Sequence, residues 1–236
     1  MPRSARWFAW RGLARLVALL LIATLLLQVY FFARIALMRV VDPQSTTFQR
    51  SEATRLLQKH GKILWSQHWT DYGHISEHLK RAVIASEDAG FAGHGGVDWD
   101  ALEQAFARNQ RARGNLVGGS TITQQLAKNL FLAGERTVVR KAQELIITLM
   151  LEALLSKQRI LEIYLNNVEW GEGVFGAQAA ARHYFHVDAG ELAPQQAAQL
   201  AVMLPAPKRF EKRPHSAYVL GRAGIVMARM AEVDLP

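Results

Sequence analysis

The first feature of the hydropathy pattern is one long apolar run. Residues 16–33 read Leu-Val-Ala-Leu-Leu-Leu-Ile-Ala-Thr-Leu-Leu-Leu-Gln-Val-Tyr-Phe-Phe-Ala, without a charge. As a helix rising about 1.5 Å per residue, this run matches the ~30 Å hydrocarbon core of a bilayer. Trp7 and Trp10 precede it, and Tyr30, Phe31 and Phe32 close it, where interfacial anchors stand. Arg3, Arg6, Arg11 and Arg15 come before the run with no acid among them. The run is long for a cleaved signal peptide, and no small-x-small site follows it. The pattern therefore predicts an uncleaved transmembrane signal anchor with its N-terminus in the cytoplasm and everything after Arg34 outside.

Beyond the leader the periodicity is helical. Leu79, Ala82, Val83 and Ser86 or Glu87 recur at helical spacing from Ser76 onward. Further helices are predicted over 100–111, 121–132, 137–165 (as one long helix or two abutting ones), 177–185, 194–203 and 219–233. Glycines at 90–96, 114–119, 134 and 171–176 separate them, and Pro194 suits a first-turn position. Residues 35–75 are mixed, punctuated by Asp42-Pro43 and Gly61, and read as a membrane-proximal connector. Alternating strand patterns are scarce, so the class is mainly α. The expected organisation is an anchor over 1–34, the connector over 35–75 and one domain over 76–236.

Composition sharpens this picture at two points. The 236 residues contain no cysteine, which excludes disulfide scaffolds, thiolate zinc sites and thiol nucleophiles. The net charge is +8, but +5 of it lies in the leader, leaving a mildly basic domain rather than a nucleic-acid-binding surface.

Several stretches hold chemistry. Glu87 lies on the apolar side of its helix and near the C-terminus, where the macrodipole disfavours negative charge. Both effects raise a carboxyl pKa and suit a general base or acid near neutrality. Glu87 opens a string Glu-Asp-x-x-Phe-x-x-His-x-Gly-x-Asp that includes Asp88, Phe91, His94, Gly96 and Asp98. His94 has no partner at metal-ligand spacing and reads as a residue that holds a loop. In the second stretch Thr121 and Gln124 fit a capping box, so a new helix would present backbone N–H groups to an anion. Ser120, Gln124 and Lys128 form one polar stripe, while Ile122, Leu126 and Leu130 face a core. In the third, Arg136, Arg140 and Glu144 share a face beside Lys141, either as an i,i+4 ion pair or, with Lys128, as a phosphate-binding cluster. In the fourth, Asn166, Asn167 and Glu169 could line a cleft or simply cap and pack a helix end. P-loop, Rossmann, His-Glu-x-x-His and Gly-x-Ser-x-Gly motifs are absent.

These stretches, in this order over roughly residues 76–207, resemble the signature motifs of the family 51 glycosyltransferases, which polymerise the glycan strands of peptidoglycan. The resemblance implies a lysozyme-like, mostly helical two-lobed glycosyltransferase domain with a smaller, membrane-touching jaw lobe. It implies lipid II and the nascent glycan strand as substrates. No transpeptidase region follows, and with the Trp170-Gly-Glu-Gly pattern this implies a monofunctional member. By resemblance, Glu87 is the catalytic base on the acceptor 4-hydroxyl, and Lys128 and Arg136 neutralise the departing pyrophosphate. Glu144 is the second carboxylate, acting through a divalent cation (Mg or Mn) or by orienting the basic residues. Ser120, Gln124, Gln125 and Asn129 line the substrate site, with Asp88, His94 and Arg140 beside it. One position departs: some members carry Arg near where Gln104 stands, although Arg108 lies one turn on. The implied setting is the bacterial cytoplasmic membrane, single-pass, with the catalytic domain outside, among membrane lipids and a cell-wall synthesis complex, and without nucleic acid. A lytic hydrolase or a non-enzymatic scaffold remains as an alternative.

Overall fold

The computed structural model describes residues 3–100, 102–104, 119–133 and 137–236. The chain divides into two compact units, one ending at Val41 and one spanning Asp42–Pro236. Helix α1, Arg3–Leu37, makes up most of the first. Its stretch Gly12–Leu37 has a mean hydropathy of 2.5 over its most apolar window and is long and apolar enough to cross a membrane. The helix extends beyond the predicted 16–33 at both ends, because nothing in the flanking arginine-rich turns breaks an α-helix.

The second unit is mainly α, as expected. Its helices are α2 (Thr47–His60), α3 (Glu77–Glu87), α4 (Ile122–Phe131), α5 (Val138–Leu154), α6 (Lys157–Asn167), α7 (Ala177–Phe185), α8 (Pro194–Met203), α9 (Pro207–Phe210) and α10 (Ala217–Arg229). Single 3-10 turns occur at Tyr72–His74, Ala189–Glu191 and Met230–Glu232. The boundaries of α7 and α8 match the prediction, with Pro194 in the first turn of α8. The 137–165 stretch is two helices, divided where Ser156 caps α6 by accepting from the Arg159 amide. The helix predicted at 100–111 is described only through Gln104.

The stretch 35–75, read as a connector, contains helix α2. Thr46 and Gln49 form a reciprocal capping box, and Gly61 closes the helix in the left-handed region at φ 68°. Only Gln49, Glu52 and Leu56 of α2 are buried, so its apolar stripe is too thin to register as a helical period. The Thr47 hydroxyl donates to the Leu130 carbonyl at 3.0 Å and thereby ties α2 to the end of α4.

A small sheet, order β1-β3-β2, joins Ser66–Gln67 in parallel to Val174–Phe175, which pairs antiparallel with Glu169–Gly171. The hairpin turns at Gly173, φ 78°, where a Cβ would meet the Leu64 carbonyl. Trp170, Tyr164, Phe91, Phe175, Leu79, Ile122 and Leu126 are all fully buried. α3 packs against α8 and α8 against α10, while α4 packs against α5, α6 and α2.

Two polar features knit these layers. The Asp88 carboxylate, buried just after α3, accepts from the Ile122 amide at the start of α4 at 2.9 Å and pairs with His94 Nε2 at 2.8 Å. His94 Nδ1 accepts from the Gly96 amide, so the imidazole proton sits on Nε2 and is donated to Asp88. The second is an ionic cluster under the sheet. Lys208 bonds Glu52 and lies 3.3 Å from Glu169, while Arg55 joins Glu52 at 2.7 Å and Glu172 at 2.9 Å. Burial and the neighbouring Glu52 push the Glu169 carboxyl up to about 7, against the pull of Lys208.

Asp88→Ala is expected to cost about 2 kcal/mol, since it leaves the Ile122 amide and the imidazole unpartnered. In a unit of this size that lowers the thermal midpoint by about 4–8 °C; an unchanged midpoint would remove the carboxylate from its bridging role. Glu169 binds a proton in the folded state that it would release in the unfolded chain between about pH 4.5 and 7. Its contribution to stability therefore falls as pH rises through that window, by roughly 3 kcal/mol in total. Thermal melts from pH 4.5 to 7 should show this decline in the native protein and a flatter profile in Glu169→Gln.

Candidate active site

Glu87 is the last residue of α3, half-buried, on the face that Leu79 and Val83 turn into the core. Its Oε2 accepts from the Gln125 side-chain amide at 2.8 Å. Burial, and then the adjacent Asp88 charge, raise its pKa above the ordinary carboxylate value; the Gln125 bond and the Lys128 ammonium oppose the shift. The direction agrees with the expectation from sequence. Gln125 is in turn held by Tyr164 of α6, whose hydroxyl donates to Gln125 Oε1 at 3.0 Å.

Asp88 and His94, predicted beside the substrate, spend their hydrogen-bonding capacity on the fold, as described above. The loop they hold passes through Gly96, φ 86°, where a Cβ would lie 2.7 Å from Glu152 and 2.8 Å from Thr148. The Gly96 carbonyl accepts the Thr121 hydroxyl at 2.6 Å, so the loop is pinned to the cap of α4.

The Thr121–Gln124 capping box is present as predicted, at 3.2 Å in both directions. The expectation that this helix start offers its amides to an external anion is corrected. The Ile122 amide is taken by Asp88 and the Gln124 amide by Thr121. The chain's own carboxylate occupies the position where a bound anion would sit.

The cationic side lies further along the same helix. Ser120, Gln124, Gln125 and Lys128, with Arg140, Lys141 and Glu144 of α5, line a cavity of about 300 Å³. Glu144 is buried and accepts from both Lys141 and Arg140, the latter at 3.5 Å. Thr137 caps α5 by accepting from the Arg140 amide, which sets the turn that carries these cations. Glu87 is not part of the lining; Gln125 joins it to the cavity, and Lys128 is near enough for its charge to act on Glu87. Asn129 is half-buried on α4 outside the lining, Gln104 is exposed, and Arg136 and Arg108 fall outside the described residues.

Glu144 is engaged by both Arg140 and Lys141, and no group of three His, Asp or Glu side chains gathers among the described residues.

Asn166, Asn167 and Glu169 are buried and bonded within the fold. Asn166 bonds the Thr70 backbone in both directions, at 2.8 and 2.9 Å, Asn167 lies in reach of Gln49 and Gln67, and Glu169 belongs to the ionic cluster. Lys141, read from sequence beside Arg140 and Glu144, reaches Glu144 at i,i+3 spacing and lines the cavity. One site residue was missed. Tyr164 carries no signal in the sequence, since it reaches Gln125 only through the packing of α6 on α4.

The transglycosylase family model matches residues 56–231. A biosynthetic peptidoglycan transglycosylase of Paraburkholderia phytofirmans is 49% identical over 236 residues, covering 100% of this chain and 96% of that one. Its counterpart in Cupriavidus metallidurans is 53% identical over 235 residues, covering 96% and 99%. That in Herminiimonas arsenicoxydans is 50% identical over 221 residues, covering 94% and 95%. A family match over most of the chain, with full-length relatives at about half identity, shows that the chain belongs to the transglycosylase family, whose domain is lysozyme-like.

Proposed function

We propose that this chain polymerises peptidoglycan glycan strands, transferring the growing glycan from its polyprenyl pyrophosphate to the GlcNAc 4-hydroxyl of lipid II with formation of a β-1,4 bond. The observation that carries this reading is the pairing of Glu87, its pKa raised, with a cation-lined cavity one amide away.

The chemistry divides between the two. The acceptor oxygen bonds to the donor's anomeric carbon while the bond from that carbon to the pyrophosphate breaks, which inverts an α-linked donor. The hydroxyl proton passes to Glu87. A carboxylate whose proton affinity is raised by burial accepts it more readily than an ordinary surface acid. The electron pair of the broken bond leaves on the pyrophosphate, where Lys128, Arg140 and Lys141 stabilise the developing charge in a preorganised cavity. Resemblance adds Arg136 to this group. Glu144 acts by orienting its two cations, which supports that alternative over one routed through a metal ion. Ser120 and Gln124 line the same cavity and bear on the sugar–phosphate side, and Asn129 flanks it.

A lipid-linked donor places the reaction at a bilayer surface. Helix α1 is the one span long and apolar enough to cross a membrane among the described residues. Its arginine-rich start favours an N-terminus in the cytoplasm and a catalytic domain on the outer face of the cytoplasmic membrane.

Incubating the detergent-solubilised protein with lipid II should yield lengthening glycan, and incubating it with finished glycan should yield no shortening; the reverse pattern would indicate a lytic enzyme. Glu87→Gln is expected to lower lipid II turnover by about 10²–10⁴-fold. In the native protein kcat/KM should rise with pH through a limb above the ordinary carboxylate range, because Glu87 must be ionised to act. Lys128→Ala should reduce kcat by about 10²-fold or more, and turnover unchanged from the native protein would exclude this lysine from the pyrophosphate site.

A further inference from the structure

The most constrained polar contact at the site has no role in the scheme above. Tyr164 is fully buried on α6, and among the described residues its hydroxyl has one hydrogen-bond partner, Gln125 Oε1 at 3.0 Å. The other end of the same amide, Nε2, lies 2.8 Å from Glu87 Oε2. Resting on the reading of Glu87 as the acceptor base, we propose that Tyr164 is a positioning residue: its hydroxyl fixes the Gln125 amide with the NH2 turned toward Glu87 and so holds that carboxylate open for the incoming proton.

The argument is one of matched donors and acceptors. A side-chain amide has two faces, one donating and one accepting. A carboxylate needs the donating face. Reversing the amide would set its oxygen against Glu87 Oε2, a contact that only a protonated Glu87 tolerates. The same reversal would deprive the phenolic proton of its acceptor inside the core. Burial, with Glu87 and then Asp88 nearby, raises the Tyr164 phenol well above its usual value, so it remains a donor. The chain Tyr164–Gln125–Glu87 therefore has one consistent direction when Glu87 is ionised, and neighbouring bonds reinforce one another in a partly desolvated setting.

Few other groups compete for control of Glu87. Asp88 beside it opposes ionisation, and Lys128 on α4 favours it. Helices α8 and α10 and the 3-10 turn Met230–Glu232 also pack on α3, and none of their buried residues is titratable. Among the described residues the Gln125 amide is thus the one uncharged group that acts on the Glu87 ionisation through a hydrogen bond, and Tyr164 decides which way that amide faces.

The test uses the full chain in detergent micelles with carboxyl-¹³C-labelled glutamate, the Glu87 resonance being assigned by its loss in Glu87→Gln. Its titration is followed in the native protein, in Tyr164→Phe, in Gln125→Leu and in the double variant. Tyr164→Phe should move the Glu87 midpoint upward, Gln125→Leu should move it upward at least as far, and adding Tyr164→Phe to Gln125→Leu should move it no further. In parallel, lipid II turnover by Tyr164→Phe should fall about three- to tenfold at pH values below the native midpoint and stay within about twofold on the alkaline plateau. A merely structural hydroxyl would lower the thermal midpoint without moving the titration. An unmoved Glu87 midpoint in Tyr164→Phe, or an equal movement with Gln125 already replaced, overturns the proposal; if Tyr164→Phe does not fold, an unmoved midpoint in Gln125→Leu does so alone. The titration needs no substrate, so loss of the polymerase reading would show in the turnover assay and leave the titration result intact.

Discussion

The site depends on the carboxylate of Asp88. It sits at the junction where α3 ends, where the loop to Gly96 begins and where α4 starts, and it is bonded to both of the latter. A buried carboxylate needs donors on its oxygens, and here a helix N-terminal amide and an imidazole provide them. Because the Ile122 amide is tied to the residue next to Glu87, the first turn of α4 is brought alongside the end of α3. Gln125, one turn into α4, then meets Glu87.

Two adjacent acids therefore have different fates on one chain. Asp88 faces donors on both oxygens and serves as a bridge. Glu87, one residue earlier on the apolar side, receives the Gln125 amide and is pushed toward protonation by burial and by Asp88 itself. Separating the roles of neighbouring carboxylates through environment alone is a general route to acid–base chemistry near neutrality. Across the cavity the problem is reversed. Arg140 and Lys141 repel one another on adjacent positions of α5, and the buried Glu144 draws both to one side. Their combined charge then faces the polar stripe of α4.

The same logic explains why the Asn166–Glu169 stretch is structural. Its polar groups are buried beneath a sheet of two- and three-residue strands that has too few backbone bonds to hold itself. Asn166 replaces missing ladder bonds by pairing with the Thr70 backbone, and Glu169 sits in an ionic cluster contributed by α2 and α9. Helix α2 was not read from the sequence, because its buried face is three residues wide and leaves no helical period.

Local chemistry determined much of this protein from the sequence alone. The apolar span, the cap at Thr121, the first-turn Pro194, the limits of α7 and α8, the apolar-side placement of Glu87 and the polar stripe of α4 all follow from interactions within one helix or one turn, which a linear pattern records. Tertiary structure decided what crosses between elements: that Asp88 rather than an external anion takes the start of α4, that Lys141 joins the cavity, and that Tyr164 reaches Gln125. Those contacts depend on which helix faces come together, and residues 39 positions apart, such as Gln125 and Tyr164, carry no spacing rule that relates them. Helical periodicity repeats every 3.6 residues, so it identifies the face a residue occupies and leaves that face's partner to the packing of the whole domain.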